Sequence, residues 1–233
     1  MLKGNVYGPI SLNAYLYCDN QSMNYIDLNG LHREDIKEYA DEYADLDNPK
    51  RNPRFPAYPP KEGNCANFVS QCMFFAGVPM NDKWYCFEPE EGVIEGFIIK
   101  LGLKMYKPNG DPRYEHMIYN RTLLTDTWNC ADAQYKYFTD SKNGFINNKD
   151  TDVTKVSSLE ELNNVKDLQV GDLLYWDFDG DGKMDHASIV VDGDEGNIKF
   201  AANTTDYSDK LVSAGYQEGN DLYFVRLRDC VYD

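Results

Sequence analysis

Hydrophobic positions recur at two different periods along this chain. In the first half they fall three and four residues apart, as on one face of a helix; from residue 172 they alternate, as on a strand. Ile36, Tyr39, Ala40, Tyr43 and Leu46 mark a helix over His32 to Asp47, with acidic residues on its other face. A second is expected from Asn64 to Ala76, where Cys65, Phe68, Val69, Cys72 and Ala76 form the buried stripe. Gly77 ends it and Pro79 follows. Between the two, NPKRNPRFPAYPPKEG carries five prolines and reads as an extended arm. Helices are also expected over Glu91 to Leu103 and Ala131 to Asp140. SLEELNN makes a short one, with Ser158 as cap and Glu161 completing a capping box. KNGFINNKDTD reads as a polar loop.

After these the alternation begins. DLLYWDF (172–178), HASIVVD (186–192), NIKFAA (197–202) and DLYFVRL (221–227) read as strands parted by Gly and Asp clusters. Helices first and an antiparallel β-meander after them make an α+β architecture, with the N-terminal helices packed on the sheet. The first thirty residues stand apart. NAYLYCDNQSMNYIDLNGL is rich in Asn, Tyr and turn residues and reads as two short strands, too small to hold a core alone.

Composition narrows what such a fold can do. With 233 residues and 42% hydrophobic content, the chain suffices for one large domain or for one domain plus an appendage. A net charge of −16 is the opposite of the positive footprint that neutralises phosphates, so no nucleic-acid partner is expected. No run of 18 apolar residues exists, so membrane insertion is not expected either. The segment MLKGNVYGPI lacks the apolar stretch of a signal peptide. The expectation is a cytoplasmic protein, or a piece of a longer one whose export signal lies elsewhere. The six cysteines form no C-x-x-C pair and the three histidines have no paired spacing, so free thiols are expected rather than zinc.

One cysteine and one histidine stand out. Cys65 begins the second helix, where the partial positive charge favours a thiolate and unpaired N–H groups can serve an oxyanion. From position alone it reads more readily as a small residue at the head of a buried stripe. His186 opens the strand HASIVVD after a glycine-rich turn, a sound position for a base and also for a strand-capping residue. Asn203 ends the neighbouring strand and could orient that imidazole or serve the NTTD turn; Asp206 is a second candidate for the same role. In DFDGDGKMD, residues Asp177, Asp179, Asp181 and Asp185 fall at EF-hand ligand positions without the closing Glu. The turn reads as a tight hairpin or as a weak structural Ca²⁺ site. Its carboxylates, beside His186, could raise the imidazole's pKa.

NCANFVSQCMFFAGV, Trp84, TWNCADAQYKYF, GDLLYWDFDGDGKMDHASIV and AANTTDYSDKL together resemble the putative amidase domain of bacterial secreted proteins, over about residues 50 to 215. The resemblance implies a papain-like, NlpC-type cysteine hydrolase with Cys65 as nucleophile and His186 as base. Asn203 falls where that family often has a histidine and would complete a Cys-His-Asn triad. Tyr58 is a candidate second oxyanion donor beside the N–H of Cys65. The implied substrate is a peptide or peptidoglycan amide, with no cofactor required. Deamidation or acyl transfer (a transglutaminase-like reaction) onto a target protein, and an inactive binding module, are the alternatives. The N-terminal segment resembles the end of an RHS repeat-associated core domain. That divides the chain into a remnant (1–31) and the amidase-like domain (32–233). It implies a polymorphic toxin tip, secreted or delivered as the C-terminal part of a larger bacterial protein, with a cognate immunity protein as partner.

Overall fold

The computed structural model describes residues 33–58, 63–87, 116–119, 122–194 and 196–231. The segment read as an RHS remnant and the helix expected over Glu91 to Leu103 lie outside these residues. Helix α1 (Arg33–Tyr43) buries Ile36, Tyr39 and Ala40 as its periodicity requires, and Glu34 and Asp35 suit its positive N-terminal end. Leu46, on the expected stripe, lies beyond the helix and is exposed. The Arg33 guanidinium anchors the start of α1, donating to the carbonyls of Val170 (2.7 Å) and Leu227 (3.0 Å).

Helix α2 (Cys65–Phe75) is the centre of the molecule. The sequence pattern points to one buried stripe, yet every residue from Ala66 to Met73 is buried, including Asn67, Ser70 and Gln71. A helix enclosed on all sides must find partners for its polar side chains, and these do. Tyr39 Oη donates to Gln71 Oε1 (2.6 Å). Ser70 Oγ accepts from Trp84 Nε1 (3.0 Å) and Gln134 Nε2 (2.8 Å) and donates to the Trp128 carbonyl (2.8 Å). Gly77, at φ 94°, takes the left-handed conformation that stops the helix.

Around α2 lie a small sheet, ordered β1-β3-β2, of β1 (Cys86–Phe87), β2 (His116–Tyr119) and β3 (Thr122–Thr125), and helices α3 (Asp126–Asn129) and α4 (Ala131–Thr139). The stretch read as a polar loop contains a one-turn helix, α5 (Lys149–Asp152), and leads into strand β4 (Val153–Val156). Helix α6 (Leu159–Leu162) is capped as expected by Ser158, which accepts from Glu161 N–H; Glu161 reaches back to Ser157 N–H rather than to Ser158.

The main sheet holds β4, β5 (Leu173–Asp177), β6 (His186–Asp192), β7 (Lys199–Ala202), β8 (Tyr207–Leu211) and, after the short helix α7 (Val212–Gly215), β9 (Asp221–Val225). All its pairings are antiparallel, so the architecture is α+β. It is not a simple meander. The order is β4-β9-β5-β6-β7-β8: strands β5 to β8 run as hairpins, and β9 returns to lie between β4 and β5. Both faces are covered. Leu173, Tyr175, Ala187, Ile189 and Ala201 pack toward α2, and Leu174, Trp176, Val190, Phe200 and Phe224 fill a second cluster behind the sheet. Double burial explains why β5 is apolar at nearly every position instead of alternating.

Ser70→Ala removes the acceptor of a buried indole N–H and the donor to a buried carbonyl. Its expected destabilisation is about 1–3 kcal/mol by denaturant unfolding. A variant as stable as the wild type would mean that the network around α2 contributes little.

Candidate active site

Cys65 is the first residue of α2. Asn64 stands at the N-cap position with φ −130° and ψ 8°, and its side chain makes no capping hydrogen bond. A capping residue normally has an extended backbone and aims a side-chain oxygen at the second or third N–H of the helix. Asn64 does neither, because it is held elsewhere. Its main-chain N–H donates to Thr204 Oγ1 (2.7 Å), its Nδ2 donates to Asn203 Oδ1 (2.8 Å), and its Oδ1 accepts from Asn67 Nδ2 (2.8 Å). The N–H groups of the first turn are thereby left to the thiol. Burial pushes the Cys65 thiol above its ordinary range; the N–H groups of Ala187 and Ala66 draw it back, and the neighbouring Cys130 adds to the rise.

Ala187, whose N–H lowers the thiol's pKa, directly follows His186 at the start of β6. The register Ile189 to Ala201 puts Ala202, the last residue of β7, opposite Ser188. The first two residues of β6 therefore have no β7 partner, and the start of α2 occupies that end of the sheet. His186 is half-buried, pairs with Trp176 in the ladder, and lies nearly parallel to the Phe178 ring at 6.2 Å. Burial draws its pKa from 6.5 down to about 4. The adjacent carboxylates do not reverse this. Asp177 is occupied by the N–H groups of Gly180 (2.7 Å) and Gly182 (2.9 Å), and Asp185 by that of Phe178 (2.7 Å). The resting pair is thus a neutral thiol and a neutral imidazole, and among the described residues no hydrogen bond joins them.

The expected third residues are engaged away from the imidazole. Asn203 Oδ1 accepts from Asn64 Nδ2 and from Thr204 N–H (3.0 Å), while its Nδ2 donates to the Tyr43 carbonyl (3.0 Å). Asp206 is gripped by both Nη atoms of Arg51 (2.9 and 3.0 Å). Tyr58, in the proline-rich arm, accepts from Asn129 Nδ2 (3.3 Å). The arm meets the first turn of α2 through Asn67, whose Nδ2 donates to the Pro56 carbonyl (2.8 Å) and whose Oδ1 accepts from Trp128 Nε1 (2.8 Å). Asn129 has no role that its position in the sequence announces. Its buried Oδ1 has no hydrogen-bond partner among the described residues, beside the Cys130 that senses Cys65. A second cysteine at a helix start, in TWNCADAQ, was the available signal.

Ligand atoms of Asp177, Asp179 and Asp185 lie within 4.8 Å of one another. Asp181 stays out of this group: its carboxylate accepts from Lys183 N–H (2.8 Å) and Lys183 Nζ (3.1 Å). Three converging carboxylates suit a hard cation that takes oxygen ligands.

A family model described as "Putative amidase domain" matches residues 30–225. The chain is also similar to "Uncharacterized protein YhbB" of Bacillus subtilis (strain 168), at 29% identity over 167 residues, which are 72% of this chain and 41% of that protein. It thus spans less than half the length of this relative. No solved structure matches.

Desolvation of the half-buried His186 imidazole makes stability depend on pH. Unfolded, it takes its proton near pH 6.5; folded, only near pH 4. Between these values the unfolded chain binds more protons, so stability is full above about pH 6.5 and falls as pH drops toward 4, by at most about 3 kcal/mol. His186→Gln should lose less melting temperature than the wild type between pH 7 and pH 4.5; equal losses would refute the buried neutral imidazole.

If the acidic turn holds Ca²⁺, EDTA lowers the melting temperature and added Ca²⁺ restores it. An unchanged melting curve would make the turn a solvated hairpin only.

Proposed function

The chain belongs to the putative amidase domain family, and from that premise we propose that it is a cysteine-dependent amide hydrolase of papain-like fold. The observation that carries the reading is Cys65 at a helix start without a side-chain cap, its thiol pKa drawn down by the N–H of Ala187, the residue after His186. Cys65 Sγ attacks the amide carbonyl carbon while His186 takes the thiol proton. Because thiol and imidazole both rest neutral, the proton moves during the attack rather than before it. The carbonyl oxygen gathers negative charge and meets the N–H groups of the first turn, with Tyr58 as a second donor. Collapse of the tetrahedral species breaks the C–N bond, and His186 returns its proton to the leaving amine. Water, deprotonated by His186, then cleaves the thioester and frees Cys65.

The substrate we assign is a peptide or peptidoglycan amide, and the biological setting a toxin domain carried by a larger secreted bacterial protein. A Ca²⁺ ion on Asp177, Asp179 and Asp185 would brace the turn that leads into His186. It takes no part in the reaction.

Mass spectrometry of peptidoglycan fragments incubated with the protein should detect a released amine. Cys65→Ala and His186→Ala should each abolish it to a similar extent, because members of one catalytic unit are not additive. Cys65→Ala should change stability by no more than about 1 kcal/mol. Full activity of Cys65→Ala in an assay that detects the wild type would make Cys65 a packing residue.

A further inference from the structure

Thr204 has φ 103°, a conformation that β-branched residues rarely adopt. Strain of this kind persists only where surrounding contacts enforce it, and it gathers at functional sites. Here it directs Oγ1 to the main-chain N–H of Asn64, while the preceding residue, buried Asn203, takes the side chain of the same asparagine. Asn203 is itself fixed by its bond to the Tyr43 carbonyl, at the C-terminal end of α1. Two adjacent residues thus grip both the backbone and the amide of the residue before Cys65.

The grip has a chemical effect. Asparagine is among the best capping residues, and a free Asn64 would turn extended and direct Oδ1 at the N–H of Ala66 or Asn67. That would stabilise the helix and remove a donor from the thiol. Held at ψ 8° with its amide turned to Asn203 and Asn67, it cannot. We propose that Asn203 and Thr204 are positioning residues for Cys65: they hold Asn64 off the end of α2 so that the first-turn N–H groups stay available to the thiolate and to the oxyanion. This rests on Cys65 being the nucleophile. It differs from the triad role, in which Asn203 would act on His186.

Alkylation of Cys65 by iodoacetamide, followed by peptide mass spectrometry across pH, reads the thiol without any substrate. A failure of the hydrolase reading therefore leaves this test intact, and Cys65→Ala activity tests that reading separately. Asn203→Ala releases the side chain of Asn64 and Thr204→Val releases its main chain. Each should slow alkylation at pH 7 about tenfold, the equivalent of one unit in thiol pKa. Asn64→Ala has no side chain to cap with and should stay within about twofold of the wild type. In the Asn64→Ala background, Asn203→Ala should have no further effect. Should Asn203→Ala fail to fold, Thr204→Val carries the test. The proposal is overturned if the folded variants alkylate at the wild-type rate, or if Asn203→Ala slows the reaction equally with Asn64 absent. It is also overturned if Asn203→Ala leaves alkylation unchanged and instead shifts the His186 ring titration followed by NMR.

Discussion

Enclosure of α2 on every side is the constraint on which the rest of this structure depends. A helix lying at the surface can leave its polar residues and its first N–H groups to water. Here Asn67, Ser70 and Gln71 must each find a protein partner, and they recruit the arm at Pro56, the indoles of Trp84 and Trp128, and Gln134 of α4. The same bonds that satisfy them join the elements around the helix. Gln134 shows the economy of this arrangement: its Nε2 also reaches the Ala66 carbonyl (2.9 Å), and its Oε1 accepts from Tyr175 of β5 (3.2 Å). The first turn of α2 is thus immobilised by the packing of the core itself.

That enclosure also sets the electrostatics of the site. Burial raises a thiol and lowers an imidazole, because each loses the hydration of its charged form. A preformed thiolate–imidazolium pair is therefore disfavoured from both sides. The compensation available is local: backbone N–H groups that carry partial positive charge without a counterion of their own. This makes the direction in which Asn64 turns its amide a matter of chemistry as well as helix stability.

Much of the architecture was legible as periodicity. The α1, α2 and α4 helices and four strands of the main sheet fall where the apolar spacing puts them, although α2 and β5 are buried on more than one face. The three short strands of the small sheet were not read, and the two main-sheet strands that were not, β4 and β8, are the edges of that sheet. Edge strands bury less, and YSDKL has no apolar alternation to read, with burial along it only partial. Leu46 misled because it continued a helical stripe past the residue where the helix stops. At the site, residue type and position left Cys65 and His186 open between catalytic and packing roles; the resemblance of the CANFVSQ and DGDGKMDH blocks to the family is what favoured them as nucleophile and base. The partner of Asn203 was not legible, since its bond to Asn64 joins residues 139 apart in sequence. Nor was the acid-shifted imidazole, because the charges of the aspartates are visible in sequence and their hydrogen bonds to the turn are not.

The placement of β9 has a consequence for how the molecule is made. The last of the described strands is an interior strand of the sheet, with β4 on one side and β5 on the other. Strands β5 to β8 can pair as they leave the ribosome, since each is a hairpin neighbour of the next. The β4 strand cannot join them until residues 221–225 arrive to bridge the gap. Until then β5 presents an open edge and the cluster behind the sheet lacks Leu222 and Phe224. Assembly is therefore closed by a long-range pairing that comes last, a slow kind of step that loop-closure entropy opposes.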